Sequence, residues 1–511
     1  MSDTTNGFAL LNTKLREIQH LRDASAVLSW DQETYMPSGG GPARAEQIAL
    51  LQTLAHDKFV SADIENLLTP YIDPTTGLAN DKASGLDDAS KALLRETWRD
   101  FSRAKKLPSD FVTKLGRECS LAQQVWAEAR QENNFSKFAP NLQTIIDLKF
   151  EEVDYIGYID SPYNTLLDTY EPGSTVAQLN PLFLRLREGL VSLLENIRNA
   201  PAHPDDRILY QSYDHDQQLE FGKLVLTKMG YDFTRGRLDV SAHPFTTSFH
   251  PTDVRVTTRV FEKDLPSCLS SCIHEGGHGL YEQGLPPEHH GTPLGEALSL
   301  GIHESQSRLW ENCVGRSRTF WEYFFPLLKN RFPNQLKYTS VEGFYAAMNT
   351  VKPSLIRVEA DEVTYNLHVM VRFEIEQDVI GQRVSVKDLP DLWRTKMKDY
   401  LGIVPERDAD GVLQDVHWSF GAFGYFPTYT LGNLYAAMLF TQAKTDVPEL
   451  ESHIAQGNLL ALKEWLNDRI HRHGRQYTSE ELIKRVTGKT LSAEPFLQTL
   501  TEKMQEVYQF K

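Results

Sequence analysis

The sequence is poor in cysteine and positive charge, and it lacks long apolar runs. Its 511 residues include four cysteines. Cys119, Cys268, Cys272 and Cys313 form no disulfide framework, so we expect reduced thiols in a cytoplasmic protein. The formal net charge of −16 argues against binding to nucleic acid or to a membrane surface. Met1–Asn6 is too polar for a signal peptide, and no run approaches the roughly 20 apolar residues of a membrane span.

Strand patterns are also scarce, and helical spacing dominates from Leu11 onward. Alternation appears only at Leu238–Phe261, which predicts a strand or hairpin. We predict a mostly α protein of two helical lobes with a deep cleft and one small β-sheet, which lies directly before the helix described next and beside it. Residues 1–235 would form a lobe that covers the cleft, and residues 236–511 the lobe that contains the functional site. Two of the predicted helices cover about 296–315 and about 353–378.

The most informative motif is His274-Glu275-Gly276-Gly277-His278. Two histidines four residues apart lie on one face of a helix and can supply two ligands to zinc. Glu275 lies at the edge of that face, where it could act as a general base. Asp264 is a plausible N-cap, and the apolar residues form a stripe about opposite the histidines. The members of that stripe are Leu265, Cys268, Leu269, Cys272, Ile273, Gly276 and Leu280.

Other interpretations of this helix are weaker. A solvated helix face would explain the histidines, but not the apolar stripe opposite them. A structural zinc site made from Cys268, Cys272 and the two histidines is excluded, because the cysteines lie on the stripe and the histidines do not. A catalytic zinc site needs a third ligand, and the following helix offers Glu296, Glu304 and Glu311. Spacing alone does not choose among them, and an ion pair with Arg308 is the ordinary role for Glu304.

Several motifs occur in order along the chain. They are Trp30–Pro37, Tyr170–Gly173, His243–Phe245, Asp253–Thr257, His274–His278, His303–Gln306, Ile356–Asp361 and Gly411–Trp418. Through these segments the chain resembles, over nearly its whole length, the M32 family of metallocarboxypeptidases, typified by carboxypeptidase Taq.

The resemblance implies roles that residue spacing left open. It makes Glu304 the third metal ligand beside His274 and His278, and Glu275 the general base. It also implies an almost entirely helical fold and a homodimer, so that we predict a mostly α, gluzincin-like protein. The cofactor predicted from the two histidines is Zn²⁺, with Co²⁺ as an alternative. The substrate would be a peptide with a free C-terminus, shortened by one residue per turnover.

Other residues are candidates for substrate contacts. Arginine binds a carboxylate through its planar fork, and Arg357 and Arg255 are the candidates, although Arg357 could instead pair with Asp361 four residues on. His243 is a further candidate for substrate binding. His417 or Tyr425 could donate a hydrogen bond to the developing oxyanion, although most of their aromatic stretch is expected to pack in the core.

Two other functions compete with a carboxypeptidase. An endo-oligopeptidase could use the same site, and it would still cleave a peptide whose C-terminus is amidated. A binding protein with a defunct site is disfavoured, because both histidines and Glu275 are intact.

Overall fold

Helices form most of the chain in the computed structural model, whose backbone is described for residues 2–511 and whose side chains are described for residues 7–511. The polar segment Met1–Asn6, on which the prediction of no signal peptide rests, lies outside the residues whose side chains are described. The helices are α1 (Ser2–Thr34), α2 (Gly41–Phe59), α3 (Ala62–Leu68), α4 (Asp88–Lys106), α5 (Ser109–Glu132), α6 (Phe135–Ile156), α7 (Pro162–Leu167), α8 (Val176–Arg198), α9 (His215–Met229), α10 (Leu265–Gly284), α11 (Leu300–Arg308), α12 (Arg318–Arg331), α13 (Val341–Met348), α14 (Tyr365–Ile380), α15 (Leu389–Leu401), α16 (Pro427–Asp446), α17 (Leu450–Ala455), α18 (Leu460–Arg469), α19 (Ser479–Thr487) and α20 (Glu494–Tyr508). The strands are β1 (Gly236–Val240), β2 (Thr246–His250) and β3 (Asp253–Thr258). The prediction of a mostly α fold with one small sheet is confirmed.

The described chain divides into two compact units, and each unit is built from segments that are not contiguous in sequence. Unit 1 combines the described residues up to Lys105 with Asp206–Met348 and Leu439–Thr490. Unit 2 combines Lys106–Asp205, Asn349–Met438 and Leu491–Lys511. The lobe boundary expected at residue 235 stays a prediction.

Unit 1 contains the sheet and α10. The strand order is β1-β3-β2, with β3 parallel to β1 and antiparallel to β2. Val254 and Val256 of β3 are fully buried, whereas Asp253 and Arg255, which alternate with them, are partly exposed. This alternation is the period of two expected from the sequence. The sheet packs beside α10, as predicted.

The N-terminal helices of unit 1 pack around an apolar core of their own. Leu11 and Leu15 of α1 lie in this core with Leu68 of α3 and Phe101 of α4. Leu294, from the segment after α10, joins the same core. The segment that follows α10 is therefore packed against the first helices of the chain.

Two predicted helices begin later than the sequence indicated. Ser299 accepts a hydrogen bond from Ile302 N at 3.1 Å, so α11 begins at residue 300, and residues 309–315 continue as a π-helix. The helix expected from residue 353 begins at Tyr365, because the Asp361 carboxylate accepts from the backbone N–H of Thr364 at 3.0 Å. This local bond favours a turn over a helix. Every helix among residues 2–511 is too short or too polar to span a bilayer.

Candidate active site

Helix α10 presents His274 and His278 from one face and buries the other. Asp264 caps it by accepting from Ser267 N at 3.2 Å, and Pro266 occupies the first turn, as predicted. All seven members of the predicted apolar stripe are buried: Leu265, Cys268, Leu269, Cys272, Ile273, Gly276 and Leu280. The cysteines are free thiols on that stripe. The histidines therefore stand opposite the side that holds the helix in place.

Each of the two histidines has a hydrogen-bond partner at Nδ1 that fixes the orientation of its ring. His274 Nδ1 lies 2.8 Å from Glu311 Oε2. His278 Nδ1 lies 2.6 Å from His303 Nδ1, and His303 Nε2 lies 2.8 Å from Glu282 Oε1. Partners on Nδ1 leave the Nε2 atoms as the free ring nitrogens. Such partners are typical of metal-binding histidines, because they fix the tautomer.

Both Nε2 atoms face one carboxylate oxygen of Glu304. Glu304 Oε2 lies 3.7 Å from His274 Nε2 and 3.4 Å from His278 Nε2. The other oxygen, Oε1, accepts from Arg308 Nε at 2.6 Å, so the ion pair considered from the sequence also forms. One ligand atom from each of the three residues lies within 4.8 Å of the others, and the group could hold a metal ion. A set of two imidazoles and one carboxylate fits a divalent ion.

The three candidate glutamates have different surroundings. Glu296 pairs with Arg475 at 3.0 Å, and it is not part of the metal-ligating group. Glu311 contacts the Nδ1 side of His274, where a metal ligand is not expected. Only Glu304 of the three places an oxygen opposite both Nε2 atoms.

Neighbouring charges keep the carboxylates of Glu304 and Glu311 ionised, and burial keeps the imidazole of His278 neutral. Burial favours the protonated form of Glu311, but Arg308 and His274 lower its pKa to about 2. Burial acts in the same way on Glu304, and the same two neighbours hold its pKa well below the usual value. Burial and the neighbouring His303 lower the pKa of His278 to about 4. Glu304 and His278 are therefore in the protonation states that bind metals. Burial lowers the pKa of His274, but Glu304 and Glu311 outweigh this effect and raise it above the usual value.

Glu275 is buried beside the metal-ligating group. Thr246 of β2 donates to Glu275 Oε2 at 2.7 Å and lies 3.0 Å from the Glu275 carbonyl oxygen. Burial raises the pKa of this carboxylate, and His274 and Thr246 oppose the rise. β2 thus holds a carboxylate of raised proton affinity next to the two histidines.

Two glycines allow close packing on either side of α10. A Cβ at Gly276 would collide with the side chains of Leu226 and Met229, which explains a glycine on the apolar stripe. A Cβ at Gly277 would lie 2.6 Å from Gln306 O and 2.7 Å from Ser307 Cα, both backbone atoms of α11. The bare backbone at Gly277 therefore lets α11 approach closely enough to bring Glu304 to the histidines.

Comparison with known proteins identifies the family. Residues 10–504 match the family model described as the carboxypeptidase Taq (M32) metallopeptidases. The chain belongs to the M32 family. A metallocarboxypeptidase function, a divalent metal and a peptide substrate follow from this membership.

Relatives and solved structures agree over almost the full length. Thermostable carboxypeptidase 1 of Thermus thermophilus is 42% identical over 96% of this chain and 97% of its own. Carboxypeptidase 1 of Bacillus subtilis is 38% identical over 97% of each chain. The crystal structure of an M32 carboxypeptidase from Deinococcus radiodurans R1 has a TM-score of 0.94 at 38% identity, covering 99% of this chain and 100% of that one. The fold is therefore the M32 fold.

Of the proposed substrate-binding residues in unit 1, Arg255 is already paired. Its guanidinium binds the Asp253 carboxylate through two bonds of 2.9 Å and lies 4.2 Å from the ring centre of Trp30 and 4.8 Å from that of Phe249. His243 lies between β1 and β2, and its side chain is exposed. The charge of the Arg255 guanidinium is therefore already balanced by Asp253, and the group lies against two aromatic rings.

Arg357 lies in unit 2 and does not pair with Asp361. It is buried, and it donates to Asp415 Oδ1 at 2.8 and 3.1 Å and to the Tyr365 hydroxyl at 3.0 Å. Arg372 donates to the other oxygen of Asp415 at 2.7 Å. Burial opposes ionisation of Asp415, but the two arginines hold its pKa far below the usual value. One carboxylate between two guanidiniums leaves this cluster with a net positive charge.

His417 and Tyr425 lie together in unit 2. Their ring centres are 5.2 Å apart, and His417 Nε2 lies 3.3 Å from the Tyr429 hydroxyl. Burial and Arg357 lower the pKa of His417 to about 4, so the ring is neutral at pH 7. A neutral imidazole can still donate one hydrogen bond.

Several supporting residues were not singled out from the sequence. They are Thr246, Glu282, His303, Arg372 and Asp415. His303 and Asp415 lie inside motifs quoted for the family resemblance, which was the available signal. Thr246, Glu282 and Arg372 carried none, because their contacts are with residues distant in sequence.

Proposed function

We propose that the chain is a zinc-dependent carboxypeptidase that removes single residues from the C-terminus of peptides, with Co²⁺ as an alternative ion. The observation that carries the proposal is the convergence of two imidazole Nε2 atoms and one carboxylate oxygen beside the buried Glu275. His274, His278 and Glu304 would hold the ion. Zinc commonly takes three such ligands in catalytic sites and keeps a fourth position open.

Glu275 is proposed as the general base. When bound, the ion lowers the pKa of a water from about 15.7 toward about 7 and polarises the peptide carbonyl. Glu275 takes a proton from the attacking water and passes it to the leaving amine. Thr246 supports this role, because its 2.7 Å bond to Oε2 holds the carboxylate while burial raises its pKa.

We propose Arg357 or Arg255 as the group that binds the substrate carboxylate, with His243 as a further contact. The net positive charge of the Arg357–Asp415–Arg372 cluster supports Arg357. The bidentate pair with Asp253 makes Arg255 the weaker candidate, because an incoming carboxylate would compete with that bond.

His417 or Tyr425 is proposed to donate a hydrogen bond to the developing oxyanion. The lowered pKa of His417 supports this role, because a neutral imidazole can donate one hydrogen bond to the oxygen on which negative charge develops. The phenol of Tyr425 offers the same chemistry.

A peptide digest tests the function. We expect mass spectrometry to show a ladder of products that lose one residue at a time from the C-terminus. The same peptide with an amidated C-terminus should be resistant. Internal fragments from the amidated peptide would instead indicate an endo-oligopeptidase.

Replacing Glu275 with Gln tests the mechanism. Turnover should fall by about 10²–10⁴-fold, the usual contribution of a positioned acid–base group. Bound zinc should remain at the wild-type ratio, because Glu275 is not a proposed ligand. Glu288→Gln, which alters an exposed carboxylate in the segment after α10, is the matched control and should keep full activity. An active Glu275→Gln enzyme would remove Glu275 from the base role.

We also propose a cytoplasmic homodimer, as implied by the reduced cysteines and the family resemblance. Sedimentation equilibrium of the full chain measures the mass, and a monomer at micromolar concentration would contradict the dimer. Cell fractionation measures the location.

A further inference from the structure

A second group of metal-ligating side chains lies in unit 1, apart from the proposed catalytic residues. It consists of His20 and Asp23 of α1 and His290 of the loop after α10. One ligand atom of each lies within 4.8 Å of the others. Among the described residues, this group and the His274, His278 and Glu304 group are the two that meet this criterion.

The carboxylate of Asp23 is oriented toward both imidazoles. Asp23 Oδ1 accepts from Gln19 Nε2 at 2.8 Å. Asp23 Oδ2 lies 2.9 Å from His290 Nε2 and 3.8 Å from His20 Nδ1. Two ligands of a tetrahedral ion at 2.0–2.2 Å are about 3.4 Å apart, so these separations need little adjustment. Glu304 has the same arrangement, with one oxygen held by a neighbour and the other between two histidines.

The loop that carries His290 is fixed against α1. Arg16 donates to Glu288 O at 2.7 Å. Gly291 has a φ of +82°, and a Cβ there would lie 2.9 Å from Arg16 Cα and 3.3 Å from Gln19 Cβ. A glycine is required at such a close approach in the left-handed region. The position of His290 relative to α1 is therefore set by the backbone.

A third histidine borders the group. The ring centre of His250, at the end of β2, lies 4.6 Å from that of His290. Burial lowers the pKa of His250, the nearby His290 lowers it further, and Asp23 opposes this. His20 is 72% exposed, whereas Asp23 and His290 are each 14% exposed. The group is thus bordered by a third imidazole, and its outer ligand, His20, is reachable from solvent.

We propose that His20, Asp23 and His290 bind a second divalent transition-metal ion, which ties α1 to the loop after α10. Imidazole and carboxylate ligands suit Zn²⁺, Co²⁺ and Ni²⁺, whereas Mg²⁺ and Ca²⁺ prefer oxygen. Because α1 also contacts β2, the ion would stabilise the contact between the first helix and the sheet. The site does not depend on the proposed peptidase function.

The test counts zinc on the full chain. Chelator-treated protein is dialysed against about 10 μM free Zn²⁺, which fills a site of about 1 μM affinity, and bound metal is measured by mass spectrometry. We expect two ions per wild-type chain and one each in Asp23→Asn and His290→Ala, both with unchanged peptidase activity. The double variant His274→Ala and His278→Ala should also bind one ion.

The pair of His215 and Asp216 on the surface provides a matched control. His215 Nδ1 lies 3.0 Å from Asp216 Oδ1, and among the described residues this pair belongs to no group of three metal-ligating side chains. His215→Ala should keep two ions. With Co²⁺ in place of zinc, the His274 and His278 double variant should show a visible absorption band that Asp23→Asn removes when combined with it. One ion per wild-type chain, or two ions remaining in both Asp23→Asn and His290→Ala, would overturn the proposal and leave an ordinary ion pair.

Discussion

Replacing Gly277 with Ala tests how the proposed metal site is assembled, because it separates helix packing from ligand chemistry. The new Cβ would lie 2.6 Å from Gln306 O, so this backbone oxygen must move by about 0.8 Å to reach the 3.4 Å of an ordinary contact. A backbone atom cannot rotate away, so α10 and α11 must separate. Glu304, which precedes Gln306 by two residues on α11, would move with it.

The expected effect falls on metal affinity more than on stability. Overpacking costs about 1–3 kcal/mol, and alanine returns about 1 kcal/mol of helix propensity, so the apo protein should lose about 0–2 kcal/mol. Ligand geometry tolerates displacements of about 0.5 Å, so a shift of 0.8 Å should weaken zinc binding. We expect the dissociation constant to rise about 10–100-fold, or about 1.4–2.8 kcal/mol.

Gly276→Ala is the matched control one residue earlier. Its Cβ would meet the side chains of Leu226 and Met229, which can rotate, on the side of α10 away from the proposed metal ligands. It should alter thermal stability but leave the zinc affinity within about threefold of wild type. Competition titration with a chromophoric chelator measures both variants. Wild-type affinity in Gly277→Ala, or an equal loss in Gly276→Ala, would refute the reasoning.

Three further predictions concern the charged groups of the two units. Glu311→Gln should weaken zinc binding about 10–100-fold by removing the carboxylate on His274 Nδ1, and an unchanged affinity in the same titration would contradict this. Arg357→Lys keeps the charge but loses the fork, so KM for peptides with a free C-terminus should rise at least tenfold with a smaller change in kcat; the same result in Arg255→Lys alone would assign the carboxylate to Arg255. Because the pKa of His417 is about 4 when folded and 6.5 as a free group, protonation favours unfolding, and wild-type stability should fall as pH drops from 6.5 to 4. His417→Asn should flatten this slope in denaturant titrations, and an unchanged slope would place the titration elsewhere.

The sequence alone predicted what depends on neighbouring residues. Helical periodicity identified α10, its buried stripe and the face that carries His274 and His278. The Asp264 cap and the alternation of β3 were predicted for the same reason, since each depends on residues within a few positions. Periods of 3.6 and 2 are properties of the chain itself.

The tertiary structure decided what depends on distant residues. Spacing alone did not separate the three glutamates, and only the resemblance pointed to Glu304. In the structure the close approach at Gly277 places Glu304, and neither Glu296 nor Glu311, opposite both Nε2 atoms. Arg357 could have paired with Asp361 within one predicted helix, yet it binds Asp415, 58 positions along the chain, and the Asp361 carboxylate accepts from Thr364 N instead. Local spacing carries no information about which backbone segments approach one another. Where several charged residues could serve as a partner, the approach of these segments decides which of them makes the contact.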